Sequence, residues 1–592
     1  MTETPPLYAG DIENRLVRFL LTEQRTSRRA TLLLHELPVD ERVAKGMCMT
    51  DLAPLDAHGR ALRFRFPLQA CKLREGDWMV LNRGKPVGPE IGTGVQVVVG
   101  RVDPLARTVT LEVLGSGEVA LRGDVWTLDY VSSDTTTPRL AAAVRDASAD
   151  DHHLLSLLLG EQTDDTATAQ APPPGLDLSQ ERAATEALSH RLTLIHGPPG
   201  TGKTLVLAAV VKALASRGQS VLITAFTHRA IDNVLQAVMA ADPKTPVVKL
   251  GRRSADLDPA IPCTQPHRLG FSRRVAVIGS TVFALTRLPR EKRFDVVIID
   301  EAGQLPLAHA AVALARGRES AVLAGDHRQL PPVFSATHLD TTAASSVFGH
   351  LAALYPHRMF MLQKSYRLPP GLCRFPSEAF YGAQLQSNMS EDPAIGTASK
   401  ELRQPEFGPL WRIKGPMRAL WVNHQGYGPV SPPEAEAVAR LVTALVVDQG
   451  IEPAEIAVVA PHRAQVREIT DRLWRHLGPD AAAPIVVDTV ERMQGQERNV
   501  IVLSLTVSDG WFMADEIDFI LSTNRLNVSI TRARKLLLVV GSREFFRICP
   551  ASPEYLEAAW LFRRLEEALV PASVDLTAEA HAWVGVPEPQ PL

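Results

Sequence analysis

Nine residues, His196 to Thr204, read HGPPGTGKT and stand between the apolar run LTLI and the helix-compatible run LVLAAVVKALA. A glycine-rich turn that leaves a buried strand and enters a helix directs backbone N–H groups at an anion. In that setting Lys203 is placed for the terminal phosphates of a nucleotide and the Thr204 hydroxyl for a magnesium ion. The cradle is Gly197, Pro198, Pro199, Gly200, Thr201, Gly202, Lys203 and Thr204. A strand feeding such a turn and then a helix commits the surrounding chain to a parallel α/β fold.

From Leu176 onward the chain keeps that rhythm. LTLIHG, SVLITAF, VAVIGS, DVVIID, SAVLAG, MFMLQ, ALWVN, IAVVAP, IVVDTV, VIVLSLT and LLLVVG alternate with helical patterns. Runs this apolar are strands buried on both faces, and about eleven exceed one small nucleotide fold, so two similar α/β lobes are expected. DVVIID ends in Asp300, followed by Glu301, which sets two carboxylates at the end of a buried strand: one for the magnesium shell, one to polarise water. GDHRQLPPV puts Gln329 where an amide can sense the terminal phosphate or the attacking water. QKSYRLPPGLCRFPSEAFYGAQL offers Tyr366 and Arg367 at the opening of the second lobe, and NRLNVSITRARK carries Arg525, Arg532 and Arg534 before the last strand. Arginines brought from a second lobe to a first-lobe phosphate site act as fingers, worth about 10³ to 10⁵ in rate.

Upstream, Asp11 to Glu36 has helical spacing, and Leu140 to Leu159 is helical again; between them Gly46 to Ser132 has short β-rich runs, Leu62 to Phe66, Trp78 to Leu81, Val95 to Val99, Thr108 to Leu114 and Val125 to Tyr130, that read as a small barrel. Trp126 and Tyr130 read as barrel core, with base stacking as the alternative. Glu161 to Gly175 is a polar, proline-rich linker by composition, and the tail from Gly585 reads as disordered. Lysine plus arginine number 63 against 66 aspartate plus glutamate, so a polyanion must be met by a local groove. Cys48, Cys71, Cys263, Cys373 and Cys549 form no C-x-x-C pair, which argues against a disulfide framework or zinc ribbon and for a reducing, cytoplasmic setting. No uncharged apolar run reaches membrane-spanning length.

With these motifs the chain resembles the up-frameshift-like superfamily 1 helicases, and in architecture the immunoglobulin-mu-binding type. LDLSQ, Leu176 to Gln180, resembles the family's glutamine motif, and VDTVERMQGQERNVIVLSLT resembles the motif in which Gly495 and Glu497 face nucleotide and Thr489 lies near nucleic acid. The resemblance implies that Gln180 reads the adenine edge, that Tyr366 stacks on the base, and that Arg367 and Arg532 are the fingers. It also implies strand contacts from Thr227, His228 and Arg229 in TAFTHRAIDNVL and from Ser280 and Thr281 in GSTV. The implied fold class is α/β: two tandem RecA-like lobes plus an N-terminal β-barrel carried on helical stalks. The expected divisions are 1–45 stalk, 46–133 barrel, 134–160 second stalk, 161–175 linker, 176–356 first lobe, 357–570 second lobe and 571–592 tail. The family's second accessory insertion looks reduced between Leu250 and Val275, and Leu505, Thr506 and Val507 stand where the family has an arginine.

The expected activity is an ATP- and magnesium-dependent monomer that translocates 5′ to 3′ on single-stranded DNA or RNA and unwinds duplex. An ATP-gated clamp or remodeller without productive unwinding is the alternative. A P-loop metabolite kinase is disfavoured by the second lobe and its arginines.

Overall fold

The structure, a computed structural model, describes residues 9–44, 46–67, 73, 77–83, 94–103, 106–114, 121, 125–130, 136–148, 153–160, 173–251, 253–254, 257–266, 276–395, 402–493, 495–547, 550, 552–572 and 574. The expected linker up to residue 172, Cys71, Cys549 and the chain beyond residue 574 lie outside the described residues, whereas Pro571 and Ala572 of the expected tail belong to a strand paired in the second sheet. Two units are present: Met1–Asp151 with Leu307–Val312 and Val333–Ala344, and the remainder.

The first unit holds a closed barrel of β1 (Cys48–His58), β2 (Ala61–Arg65), β3 (Trp78–Arg83), β4 (Val95–Asp103), β5 (Thr108–Val113) and β6 (Trp126–Tyr130), in the order β1-β2-β5-β4-β3-β6. Alternation drives it: Leu62 and Phe64 point inward while Arg63 and Arg65 face water. Closure leaves no free edge for another chain to extend. Trp126 is 5% exposed and meets Phe64 edge-on at 5.9 Å between ring centroids, so its indole belongs to the barrel core and not to a base-stacking surface. The strand missing from the sequence reading is β1. Its alternation is hidden by Pro54, by Asp51 at φ 57°, and by register shifts between Met49 and Leu52 and between Pro54 and Asp56.

The helix Ala9–Glu36 packs on the helix Thr137–Ser148. At the base of the barrel, Arg42 and Asp129 form a buried ion pair at 2.8 Å, and Tyr130 N donates to Met47 O at 3.0 Å. Along the long helix, Glu23 accepts from Ser335 N and Ala336 N at 2.8 and 2.9 Å, and Arg15 pairs with Asp340 at 2.5 Å.

The second unit contains two parallel sheets. The first comprises β7 (Leu192–His196), β8 (Val221–Thr224), β9 (Val247–Leu250), β10 (Cys263–Thr264), β11 (Val277–Ser280), β12 (Phe294–Ile299), β13 (Gly317–Gly325) and β14 (Met359–Met361), ordered β10-β9-β11-β8-β12-β13-β7-β14. A two-stranded ladder of β15 (Lys364–Ser365) and β16 (Gln386–Ser387) follows. The second sheet comprises β17 (Met417–Trp421), β18 (Ile456–Val459), β19 (Val486–Asp488), β20 (Arg498–Ser504), β21 (Ala533–Gly541) and β22 (Val570–Ala572), ordered β19-β18-β20-β21-β17-β22. All eleven apolar runs are strands. One sits elsewhere than expected: Met359–Met361 pairs with β7 at the edge of the first sheet, so the chain leaves that sheet after Met361 and not at residue 356. A short apolar run carries no mark of which sheet it joins. Among the described residues no helix is long and apolar enough to cross a membrane.

Candidate nucleotide site

Strand order creates the site. In the first sheet β12, β13 and β7 are neighbours, so the loops leaving their carboxyl ends converge. These loops are the P-loop after β7, Asp300–Glu301 after β12, and Asp326–Gln329 after β13. The second sheet offers its opposite pole: Gly495 and Glu497 precede β20, and Arg532 precedes the adjacent β21, where Arg498 N donates to Arg532 O at 3.1 Å. Between the two lies a cleft of about 760 Å³, lined by Pro198 to Thr204, Glu301, Gln329, Tyr366, Arg367, Gly495, Glu497 and Arg532.

The P-loop is braced by its neighbours. Lys203 Nζ donates to Gly197 O at 2.9 Å, and Thr201 Oγ1 donates to Pro198 O at 2.8 Å. Gly200 adopts φ +72°, and a Cβ there would lie 2.3 Å from Arg367 Cβ, so only glycine fits. Tyr366 N donates to Gly200 O at 2.8 Å and Ser365 Oγ to Pro199 O at 2.9 Å, tying the Tyr366–Arg367 segment to the loop. Gln180 Nε2 donates to Thr201 O at 3.0 Å while its Oε1 accepts from Asp177 N at 3.1 Å. Both ends of that amide are therefore engaged in a helix cap and the P-loop rather than turned to a base. The Tyr366 ring is half exposed at the cleft, with its hydroxyl donating to Asp177 at 2.8 Å.

Burial, with the Glu301 carboxylate beside it, pushes Asp300 up to about 7. Glu301 is held in the left-handed region at φ 50°, a strain of about 1–3 kcal/mol for a residue with a Cβ. Its carboxylate accepts from Gln304 Nε2 at 3.1 Å. Asp300 and Thr204 each offer only oxygen donors, and a buried carboxylate crowded by a second one fits a hard cation such as Mg²⁺.

The arginines divide. Arg532 is 4% exposed; burial, with Arg367 nearby, pulls it down to about 10, and its buried Nε has no hydrogen-bond partner among the described residues. Its Nη2 donates to Gln329 Oε1 at 3.1 Å. Glu497 pairs with Arg367 at 2.8 Å and Arg534 at 2.7 Å, and these cations outweigh burial and hold its carboxyl below the usual range. Arg525 is elsewhere, paired with Glu491 at 2.7 Å and stacked over Phe519.

The strand-contact candidates fare differently. Thr227 and Thr281 are helix N-caps, accepting from Ala230 N at 3.3 Å and Ala284 N at 3.4 Å. Ser280 is fully buried with its hydroxyl donating to Thr281 O, and Thr489 is 7% exposed. His228 is exposed, while Arg229 lines the nucleotide cleft.

Sequence reasoning missed a polar hub. Asp326 Oδ1 accepts from Arg328 N at 2.9 Å and pairs with His196 Nε2 at 3.0 Å, and its Oδ2 accepts from Gln329 Nε2 at 2.7 Å and Tyr381 OH at 2.8 Å. Burial opposes the charge, but the His196 bond and charge, Lys203 and Gln329 outweigh it and hold Asp326 down at about 2. His196, Asp326 and His327 bring possible metal ligands within 4.8 Å of one another, yet both Asp326 oxygens are already occupied by hydrogen bonds. Its residues lie in the segments GDHRQ, FYGAQL and NRLN, whose motifs point to Gln329, Tyr366 and the arginines instead.

Two family models, both described as AAA domain, match residues 175–353 and 343–544. The DNA replication ATP-dependent helicase/nuclease JHS1 of Arabidopsis thaliana is 29% identical over 62% of this chain and 28% of its own. Regulator of nonsense transcripts 1 of Caenorhabditis elegans is 27% identical over 80% of this chain and 49% of its own. DNA-binding protein SMUBP-2 of Rattus norvegicus is 27% identical over 71% of this chain and 49% of its own. The chain thus spans about half or less of the length of these relatives.

Proposed function

We propose, from its likeness to two AAA domain models and to helicases of the up-frameshift type, that the chain is an up-frameshift-like superfamily 1 helicase: an ATP-driven motor on single-stranded nucleic acid, moving 5′ to 3′ and coupling hydrolysis to duplex unwinding or nucleoprotein remodelling. The observation that carries the reading is the cleft in which Lys203, Glu301 and Gln329, on loops of the first sheet, meet Arg367 from the segment joining the two sheets and Arg532 from the second. A site completed from two lobes hydrolyses only when the lobes come together, which is how a motor ties chemistry to grip.

In this mechanism the P-loop N–H groups and Lys203 bind the β- and γ-phosphates. Thr204 and Asp300 would hold Mg²⁺, which neutralises charge developing on the transferred phosphoryl group. Glu301 takes the proton of the attacking water, Gln329 orients that water, and Arg367 and Arg532 meet the charge on the transferred group. Tyr366 offers a face to the base. The exposed loop carrying Thr227 and His228 supports backbone tracking of a strand, a contact blind to sequence. Residence in a reducing cytoplasm and a monomeric state belong to the same reading.

The test is steady-state ATPase with and without single-stranded DNA and RNA of matched length across a salt series, then strand separation on duplexes with 5′ or 3′ tails. Stimulation that fades with salt and unwinding from 5′ tails alone are expected. Stimulation without strand separation from either tail would replace the helicase reading with the gated clamp, and no stimulation by either polymer would refute the motor.

A further inference from the structure

Gln329 is held at both ends. Its Nε2 is tied to Asp326 Oδ2 at 2.7 Å, which turns its Oε1 toward the cleft and Arg532 Nη2. An amide fixed that way presents an acceptor to a water proton, and rotation by half a turn would present a donor instead. What fixes the amide is therefore what fixes Asp326.

On the other oxygen-sharing arm stands Tyr381, from the segment that precedes the second sheet. It is 4% exposed, and its hydroxyl donates to the same Asp326 Oδ2 at 2.8 Å. That hydroxyl in turn accepts from Asn527 Nδ2 at 2.7 Å, and Asn527, itself fully buried, also donates to Arg328 O at 2.8 Å. One helical turn earlier Asn524 Nδ2 donates to His327 O at 3.2 Å and to Gln329 O. Asn524 and Asn527 lie on the helix Thr523–Ile530, which leads directly into Arg532. The helix that carries the finger thus grips the backbone of the sensor loop, while Tyr381 grips the carboxylate that orients the sensor.

We propose that Tyr381, backed by Asn527, is a positioning residue that makes the orientation of the Gln329 amide depend on docking of the second lobe. The proposal rests on the ATPase reading above and deepens it. When the lobes part, Asp326 keeps His196 and Arg328 N on Oδ1 but loses the Tyr381 bond on Oδ2, and with Arg532 also withdrawn the Gln329 amide is held only by an Oδ2 that has lost its second partner. Hydrolysis is then slow although nucleotide remains bound, because Lys203 and the P-loop take no part in the relay.

Tyr381→Phe removes the hydroxyl and keeps the ring. Expected are an ATP KM within about twofold of wild type and a fall of about tenfold or more in kcat, the scale of one buried hydrogen bond to a charged group. Asn527→Ala should behave alike, and the double variant should be no slower than the slower single. The deciding arm is Tyr381→Phe in a Gln329→Ala background, measured in single turnover. A relay acting through Gln329 has nothing further to lose there, so the two rates should match. The same multiplicative loss in both backgrounds, or wild-type kcat in Tyr381→Phe, overturns the proposal. Should Tyr381→Phe melt early by circular dichroism, Asn527→Ala in the same cycle decides the question. If wild type shows no stimulation by single strands, the motor reading fails, while the cycle read on basal turnover still judges the relay.

Discussion

Gly200→Ala places one methyl group at the junction of the P-loop and the Arg367 segment. The new Cβ would stand 2.3 Å from Arg367 Cβ and 3.0 Å from both Arg367 N and Ser365 Oγ. The first separation is about 1.5 Å short of an ordinary carbon–carbon contact. Two costs follow. An L-residue at φ +72° gives up about 1–2 kcal/mol, and overpacking against backbone adds about 1–3 kcal/mol. Relief requires the loop or the Tyr366–Arg367 segment to move, and either move disturbs a phosphate contact. A loss of at least about 2 kcal/mol corresponds to roughly thirtyfold weaker nucleotide binding. Binding of a fluorescent ATP analogue and steady-state kcat and KM would register it, with kcat falling as well because Arg367 is displaced. Gly218→Ala is the control, since Gly218 has φ +78° and nothing within 4 Å of its Cβ position. It should lose stability to the dihedral cost alone and keep the wild-type KM. Wild-type binding and turnover in Gly200→Ala would show that the P-loop and the Arg367 segment are not held against each other.

Lys203→Ala should abolish productive nucleotide binding, read by the same analogue. Glu301→Gln should bind ATP normally while hydrolysis stops, and wild-type turnover would remove Glu301 from the base role. Arg532→Ala should slow turnover at least about a hundredfold, as loss of a finger does. Burial, with His196 and Arg328 beside it, pulls His327 down to about 4. Because its folded-state pKa lies below the ordinary value near 6.5, the unfolded chain binds the extra proton, and this residue's contribution to stability falls as pH drops from about 6.5 to 4. The thermal midpoint of His327→Gln should therefore decline less than wild type over that window, and parallel curves would count against a neutral buried imidazole.

The sheets and the phosphate cradle were legible because each rests on local pattern. Buried strands must be apolar along their length, and the P-loop is a contiguous turn whose neighbours in sequence are its neighbours in space. Lys203, Glu301 and Gln329 stand in such local motifs, and the first sheet's strand order brings them together, while Arg532 reaches the same cleft from the start of β21 in the second sheet. The barrel strand Cys48–His58 was hidden because a bulged strand loses the alternation that marks strands. Tyr381 and Asn527 were hidden for another reason. Their role exists only where segments 146 residues apart share one hydrogen bond, and neither residue type is unusual at its own position. Arg229 shows the converse: its motif suggested a strand contact, but a helix start delivers the side chain to the nucleotide cleft.

In the barrel, β1 and β6 are hydrogen-bonded neighbours, and the Arg42–Asp129 pair with the Tyr130–Met47 bond joins the two places where the chain comes in and leaves. A module whose two ends meet can be gained, lost or traded in one genetic step, since the flanking chain has almost no gap to bridge. Changes in the barrel's loops therefore leave the register of its own strands, and the point at which it joins the flanking chain, where they are.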